Sequence, residues 1–308
     1  MLCEKIQLNE SGTANLYTYI LEPEISYGVK RKWPAMIIVP GGGYLITATK
    51  EGEAVASQFL AHGFSCFVLK YSTYVKDRRD LDFAETGHVE TDEEAHYPAQ
   101  ELQLMEAMHL IRQNAEKWNI DTAHIFTCGF SAGSHISGSV ALRWNDSRLT
   151  SLLSFKPEGN ELKPAGAILG YPMLGDLESY LEENKHHPDS IYHQVRLIKE
   201  CLYSGQNPAR EEVEKLNLIN YLGRDSAPLF LWHTTDDIIV DPKETTRFVL
   251  RAQQMNVPVE YHLFRSGKHG LACANRYYAK KPEEANDAIA LWMEAAYYWL
   301  DSLMRSAE

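Results

Sequence analysis

A serine stands between two glycines in Gly129-Phe130-Ser131-Ala132-Gly133, directly after the apolar run Ile125-Phe126-Thr127-Cys128 and directly before a stretch with helical spacing. A hydroxyl on such a strand-to-helix turn sits on a sharply bent backbone, which tolerates only small neighbours. The start of the following helix adds free N–H groups and a positive dipole end, both of which favour developing negative charge. Nucleophilic attack on an acyl carbon needs this arrangement, with Ser131 as the nucleophile.

Acyl transfer also needs donors for the oxyanion. The run Pro40-Gly41-Gly42-Gly43-Tyr44 follows the apolar stretch 35–40, upstream of the serine, where such a loop is expected. The N–H groups of Gly42, Gly43 and Ala132 are the candidate oxyanion donors, with the choice among Gly41, Gly42 and Gly43 open. Tyr44 is the candidate substrate-binding residue. Neither a G-x-x-x-x-G-K-[ST] nor a G-x-G-x-x-G pattern occurs, so a phosphate loop is disfavoured.

A serine hydroxyl is a weak nucleophile until a base takes its proton. Of twelve histidines, His269 lies in Ser266-Gly267-Lys268-His269-Gly270, just after the last strand-like run. The base needs a carboxylate that holds its tautomer, and the expected chain order is serine, acid, histidine. Asp237 is the first choice and Asp236 the runner-up. Asp241, before Pro242, suits a helix cap. His233 reads as structural at a strand end, and His135, one turn beyond Ser131, as a satisfied core histidine. His186-His187 and the pair His88 and His96 lack helical i, i+4 pairing with carboxylates, and no H-E-x-x-H occurs. Neither a metal nor a cofactor is expected.

The elements that must position these residues alternate. Strand-like runs occupy 35–40, 65–70, 124–129, 166–171, 228–233 and 259–265, several of them continuously apolar, as in strands buried on both faces. Helical spacing appears over 51–61, 97–118, 132–143, 243–255 and 282–305. Strands separated by helices predict an α/β fold with a mostly parallel sheet. Leu16, Tyr17, Tyr19 and Ile20 suit an antiparallel edge. Two polar segments, 74–96 and 176–208, break the rhythm and read as insertions over one end of the sheet. The whole chain, 1–308, reads as a single domain.

The chain has 308 residues, 44% of them hydrophobic, and a formal net charge of −12. That charge repels phosphate backbones, so nucleic acid is a poor partner. The absence of a ~20-residue apolar run argues against a membrane partner, and the N-terminal residues lack a secretory pattern, so the cytoplasm is the expected compartment. Five widely spaced cysteines without C-x-x-C give no disulfide framework, and Cys66 and Cys128 suit small buried hydrophobes. A small-molecule ester is the expected partner, and a homo-oligomer is left open.

Taken in order, Val39–Tyr44, Glu51–Ala56, Phe67–Tyr71, Gly129–Gly133, Leu169–Pro172, Leu231–Thr234 and His269-Gly270 resemble the α/β-hydrolases grouped as acetyl-xylan-esterase-like or lipase/esterase-like proteins, related to bacterial carbohydrate esterases. The stretches cover most of the chain. The resemblance implies the α/β-hydrolase fold and hydrolysis of small acyl esters, often acetyl groups on sugars, with Ser131, Asp237 and His269 as triad. Two positions depart from the group: Ser134 stands where a glycine is usual, and Val240 is followed by Asp241 rather than proline. The second departure leaves Asp236 open beside Asp237. A serine peptidase or amidase, or a non-catalytic binding protein on the same scaffold, are the competing functions.

Overall fold

The computed structural model describes every residue except 24, 27, 28, 84–88, 176, 177, 189, 190, 204, 206, 280 and 306–308, so His88 lies outside the described residues. Its main sheet contains β1 (Leu2–Gln7), β2 (Asn15–Ile20), β3 (Trp33–Val39), β4 (Ser65–Lys70), β5 (Ile120–Phe130), β6 (Ala167–Gly170), β7 (Leu229–Thr234) and β8 (Val259–Phe264). Their spatial order is β1-β2-β4-β3-β5-β6-β7-β8. Strands β3 to β8 pair in parallel, while β1 and β2 extend the sheet antiparallel beside β4. All six strand-like runs read from the sequence fall on parallel strands. The antiparallel edge expected around residues 16–20 is β2, but β1 lies outside it. Being mostly exposed and polar, β1 carries no alternating apolar signal, and its backbone ladder to β2 holds it.

Six helices bear on the site: α1 (Glu53–Ala61), α2 (Ala99–Gln113), α3 (Ala132–Arg143), α4 (Val195–Tyr203), α5 (Pro242–Gln254) and α6 (Trp292–Arg305). The predicted helix over 97–118 is interrupted at Asn114, and Asn119, with a left-handed φ of 57°, ends the short turn that follows. As predicted, Asp241 caps α5, its carboxylate accepting the Lys243 N–H at 2.9 Å with Pro242 at the first position.

Successive side chains of a strand point to opposite faces. On β3, Ile37 and Val39 therefore join the cluster that holds Leu104 and Met108 of α2 and Ile136 of α3. Met36 and Ile38 join Phe59 of α1 and Trp292 of α6 on the other face. A third cluster packs Leu169, Leu229 and Leu231 against Phe248 of α5. Each such side chain, fully withdrawn from water, contributes roughly 1.5–3 kcal/mol before entropy is charged against it.

From β3 the chain runs to β4 on one side and then crosses to β5 on the other. That reversal opens a crevice at the carboxyl ends of the strands. Val39 of β3 lies beside Gly129 of β5, so the glycine loop and the serine turn leave the sheet side by side.

Both insertions read from the sequence sit at this end. The described part of 74–96 includes the short helical turns Arg78–Phe83 and Glu93–Ala95 and is tied to the glycine loop, with the Tyr74 N–H on the Tyr44 carbonyl and the Val75 N–H on that of Leu45. Residues 176–208 contain Glu178–Glu183 and α4. The two touch, since the Cys201 thiol meets the Ala95 carbonyl at 3.2 Å. The cysteines are free; Cys66 and Cys128 are buried as expected, Cys3 is exposed. Among the described residues no helix is long and apolar enough to cross a membrane.

Candidate active site

Ser131 has φ 52°, a conformation that L residues rarely adopt. The strain is held from both sides. A Cβ on Gly129 would lie 2.2 Å from the Gly133 carbonyl oxygen, and one on Gly133 would lie 2.0 Å from that of Val39. Only glycine fits at either position, which is why the small residues read from the sequence are required. Ser134, at the position where the resemblance leads one to expect glycine, turns its hydroxyl inward onto the Gly170 carbonyl at 3.0 Å.

The structure brings Ser131, His269 and Asp237 into one hydrogen-bonded chain. His269 Nε2 lies 2.9 Å from Ser131 Oγ, and His269 Nδ1 lies 2.7 Å from Asp237 Oδ2. Asp237 is fully buried at the end of β7. Its Oδ1 accepts the Ile239 and Val240 N–H groups at 2.8 and 3.1 Å, and its Oδ2 is also 3.0 Å from His233 Nε2. Burial by itself penalises this carboxylate's charge. The charge of His269 and the bonds from His233 and His269 outweigh it and hold Asp237 far below the usual carboxylate range. Asp236 faces elsewhere: its carboxylate accepts the Gly267 N–H at 2.6 Å and the Ser266 hydroxyl at 2.7 Å, bracing the loop that carries His269.

His269 is itself pulled two ways. Burial lowers its pKa, while the charge and hydrogen bond of Asp237, with a further push from Glu51, raise it above the ordinary imidazole value.

The N–H groups of Gly42, Gly43 and Ala132 make no hydrogen bond among the described residues, and all three residues line the cavity that exposes Ser131 and His269. Gly41 is different, because its N–H donates to Glu51 Oε2 at 2.7 Å. The loop turns through Gly42 at φ 124°, where a Cβ would lie 2.2 Å from the Ile46 carbonyl oxygen.

Tyr44 requires a correction. Its side chain is fully buried and does not line the cavity. The hydroxyl instead meets His135 Nδ1 at 2.6 Å and donates to Glu101 Oε1 at 3.2 Å, so the ring anchors the glycine loop from beneath and is not placed to touch a ligand. The other nitrogen of His135 meets the Leu216 carbonyl at 2.7 Å, so His135 is a satisfied core histidine, as read from the sequence.

Two contributors, Glu51 and Tyr171, escaped sequence reading, and a third, His233, was read only in part. His233 is structural, bonded to Thr245 Oγ1 at 2.8 Å, but its other nitrogen also grips Asp237. Glu51 and Tyr171 had no motif of their own beyond stretches shared with related proteins. Among the described residues no group of three or more His, Cys, Asp or Glu is placed to hold a metal ion. His96 bonds the Cys201 carbonyl and Glu93.

The cavity holds about 810 Å³. Both insertions contribute to its wall, Arg78, Leu81 and Asp82 from one, His187, Ile191 and Gln194 from the other. Tyr180, also from the second insertion, donates its hydroxyl to the Asp237 carbonyl.

Comparison with known proteins places this arrangement in a family. The BD-FAE family matches residues 84–251, over half of the chain and a span that includes Ser131 and Asp237. The chain belongs to the BD-FAE family. Among curated relatives, endo-1,4-beta-xylanase B of Butyrivibrio fibrisolvens is 30% identical over 263 residues, 85% of this chain and 35% of that protein. The acetylxylan esterase of Xylanibacter ruminicola is 25% identical over 276 residues, 86% of this chain and 45% of that protein. This chain therefore spans a third to a half of the curated relatives it matches. Among solved structures, a carboxylesterase of Lactobacillus plantarum WCFS1 superimposes with TM-score 0.75 at 26% identity over 98% of both chains. An acetyl ester-xyloside bifunctional hydrolase of Caldicellulosiruptor lactoaceticus gives TM-score 0.69 at 26% identity, over 97% of this chain and 96% of that one. The fold is the α/β-hydrolase fold.

Proposed function

We propose that the protein is a serine carboxylester hydrolase acting on short-chain acyl esters, with acetylated sugars as the favoured class. The observation that carries this reading is the chain Ser131–His269–Asp237, beside a cavity where three N–H groups have no hydrogen-bond partner among the described residues.

Ser131 Oγ attacks the ester carbonyl carbon as His269 Nε2 takes its proton. The carbonyl oxygen becomes an oxyanion and accepts hydrogen bonds from Gly42, Gly43 and Ala132. The carbon–alkoxy bond then breaks, and the alcohol leaves with the proton from His269. Water, deprotonated by the same nitrogen, attacks the acyl-enzyme and releases the carboxylic acid and the free serine. Throughout, Asp237 holds Nδ1 protonated and stabilises the imidazolium.

The short acyl chain is inferred from a partition. A second cavity of about 250 Å³ has Met173 and Ile198 in its wall and, among the described residues, is lined by residues between 173 and 213. The leaving alcohol must face His269, so the acyl substituent faces away from it. The second cavity includes none of the His269 or Asp237 loop residues, and we assign it to the acyl side. Ile198 approaches within 3.4 Å of a Cβ position on Gly43, and Met173 lines both cavities, its N–H reaching the Ser131 carbonyl at 3.3 Å. On this reading these two side chains bound the acyl end. Polar and charged groups in the lining of the main cavity, Arg78, Asp82, Lys281 and Glu283 among them, suit the hydroxyls of a sugar alcohol. The names of the xylan-related relatives agree with that class.

The test is hydrolysis of p-nitrophenyl acetate and release of acetate from acetylated xylo-oligosaccharides, with Ser131→Ala alongside. Loss of at least about 10³-fold in kcat is expected for the variant. Undiminished turnover by Ser131→Ala, or a higher kcat/KM on a peptide panel than on acetyl esters, would overturn the reading.

A further inference from the structure

Glu51 is 3% exposed and lies between the two loops that any acyl transfer here would use. Its Oε2 accepts the Gly41 N–H at 2.7 Å, at the root of the glycine loop. Its Oε1 accepts the Tyr171 hydroxyl proton at 2.7 Å. The same Tyr171 oxygen accepts the Ala272 N–H at 3.0 Å, just beyond His269, and the Tyr171 ring stands edge-on to the His269 ring with centroids 4.8 Å apart. A single buried carboxylate therefore ties the glycine loop to the histidine loop through one phenol.

Resting on the hydrolase reading above, we propose that Glu51 is a positioning residue that sets the oxyanion loop and the His269 loop in register, with Tyr171 as its relay. Three consequences follow from the chemistry. By occupying the Gly41 N–H, Glu51 leaves Gly42 and Gly43 as the donors that face the cavity. A buried carboxylate accepting two bonds is costly to misplace, because breaking one partner leaves charge poorly compensated. Its negative charge also adds to that of Asp237 in favouring the imidazolium that forms during attack. The charged and titratable groups that face His269 are Asp237 from the β7 loop, with His233 behind it, Glu51 and Lys50 from the segment before α1, and the Tyr171 phenol after β6.

Steady-state hydrolysis of p-nitrophenyl acetate across pH separates positioning from bulk packing. Glu51→Gln keeps an oxygen for the Gly41 N–H and an amide for the Tyr171 oxygen but removes the charge. Glu51→Ala removes both contacts. The expected result is a fall in kcat of about 10- to 100-fold for Glu51→Ala with KM changed little, comparable to losing part of an oxyanion donor. Glu51→Gln is expected to recover most of that kcat at alkaline pH, with the acid limb of kcat/KM moved to lower pH because a group that raises the His269 pKa has gone. Tyr171→Phe, which cuts only the relay, should fall between them. If Glu51→Ala does not fold, the other two variants carry the test. Wild-type kcat/KM and an unmoved acid limb in Glu51→Gln and Tyr171→Phe would overturn the proposal. Wild-type protein without Ser131-dependent turnover would sink the hydrolase reading itself, and this inference with it.

Discussion

Asp237 shows how much one side chain is asked to do. All of its acceptor capacity is used, by two backbone N–H groups and two imidazoles. Those bonds favour the anion, and the anion raises His269 in turn. The sign for activity is direct. A base works only when neutral, so a raised His269 pKa places the acid limb of kcat/KM above the ordinary ~6.5 of imidazole. A pH profile on p-nitrophenyl acetate measures it, and a midpoint at or below that value would contradict the pairing. The same shift bears on stability in the opposite sense for the two partners. Asp237, depressed on folding, contributes above ~3.9 and loses its contribution as pH falls below that. His269, raised on folding, contributes below ~6.5 and loses its contribution as pH rises through its folded value.

At the scale of elements, the proposed acyl side is bounded by α4. Its inner face carries Leu197, Ile198 and Cys201, all buried, and Ile198 stands between Gly43 and the second cavity. Ile198→Ala should join the two cavities and let longer acyl chains enter. A rise of about tenfold in the kcat/KM ratio of p-nitrophenyl hexanoate to acetate is expected, the scale of discrimination a pocket makes over methylene groups. An unchanged ratio in a folded variant would place the acyl chain elsewhere. Varying the alcohol with acetate held constant should leave the variant close to wild type, since that side of the cavity is bounded by other elements.

Over the whole molecule, the sheet supports the site by being packed on both faces. Trp292 of α6 is fully buried, stacked on Trp232 of β7 with centroids 5.2 Å apart and edge-on to Phe130. Its indole N–H donates to the Ala272 carbonyl at 3.0 Å, which ties the C-terminal helix to the segment after His269. Trp292→Ala removes that packing and leaves a carbonyl without its donor. A loss of about 3–5 kcal/mol is expected by denaturant unfolding. A loss under about 1 kcal/mol would mean that α6 contributes little to holding the histidine loop.

The amino-acid sequence by itself determined the parallel strands, the helices between them and the order of glycine loop, serine turn, acidic loop and histidine loop. Those features are local: apolar runs, turn glycines and a proline at a helix start act within a few residues of themselves. It also carried the reading of His135 as a core residue, because an imidazole one turn into a buried helix has few other fates. Only the tertiary structure decided between Asp236 and Asp237, since adjacent carboxylates differ solely in which way they point when β7 ends. Only it turned Tyr44 inward, because whether an aromatic ring faces a cavity or the core depends on α2 and α3 beneath the loop. Glu51 and Tyr171 were silent in the sequence for the same reason. Their partners Gly41 and Ala272 lie 10 and 101 residues away respectively, and the contacts exist only once the strand ends converge.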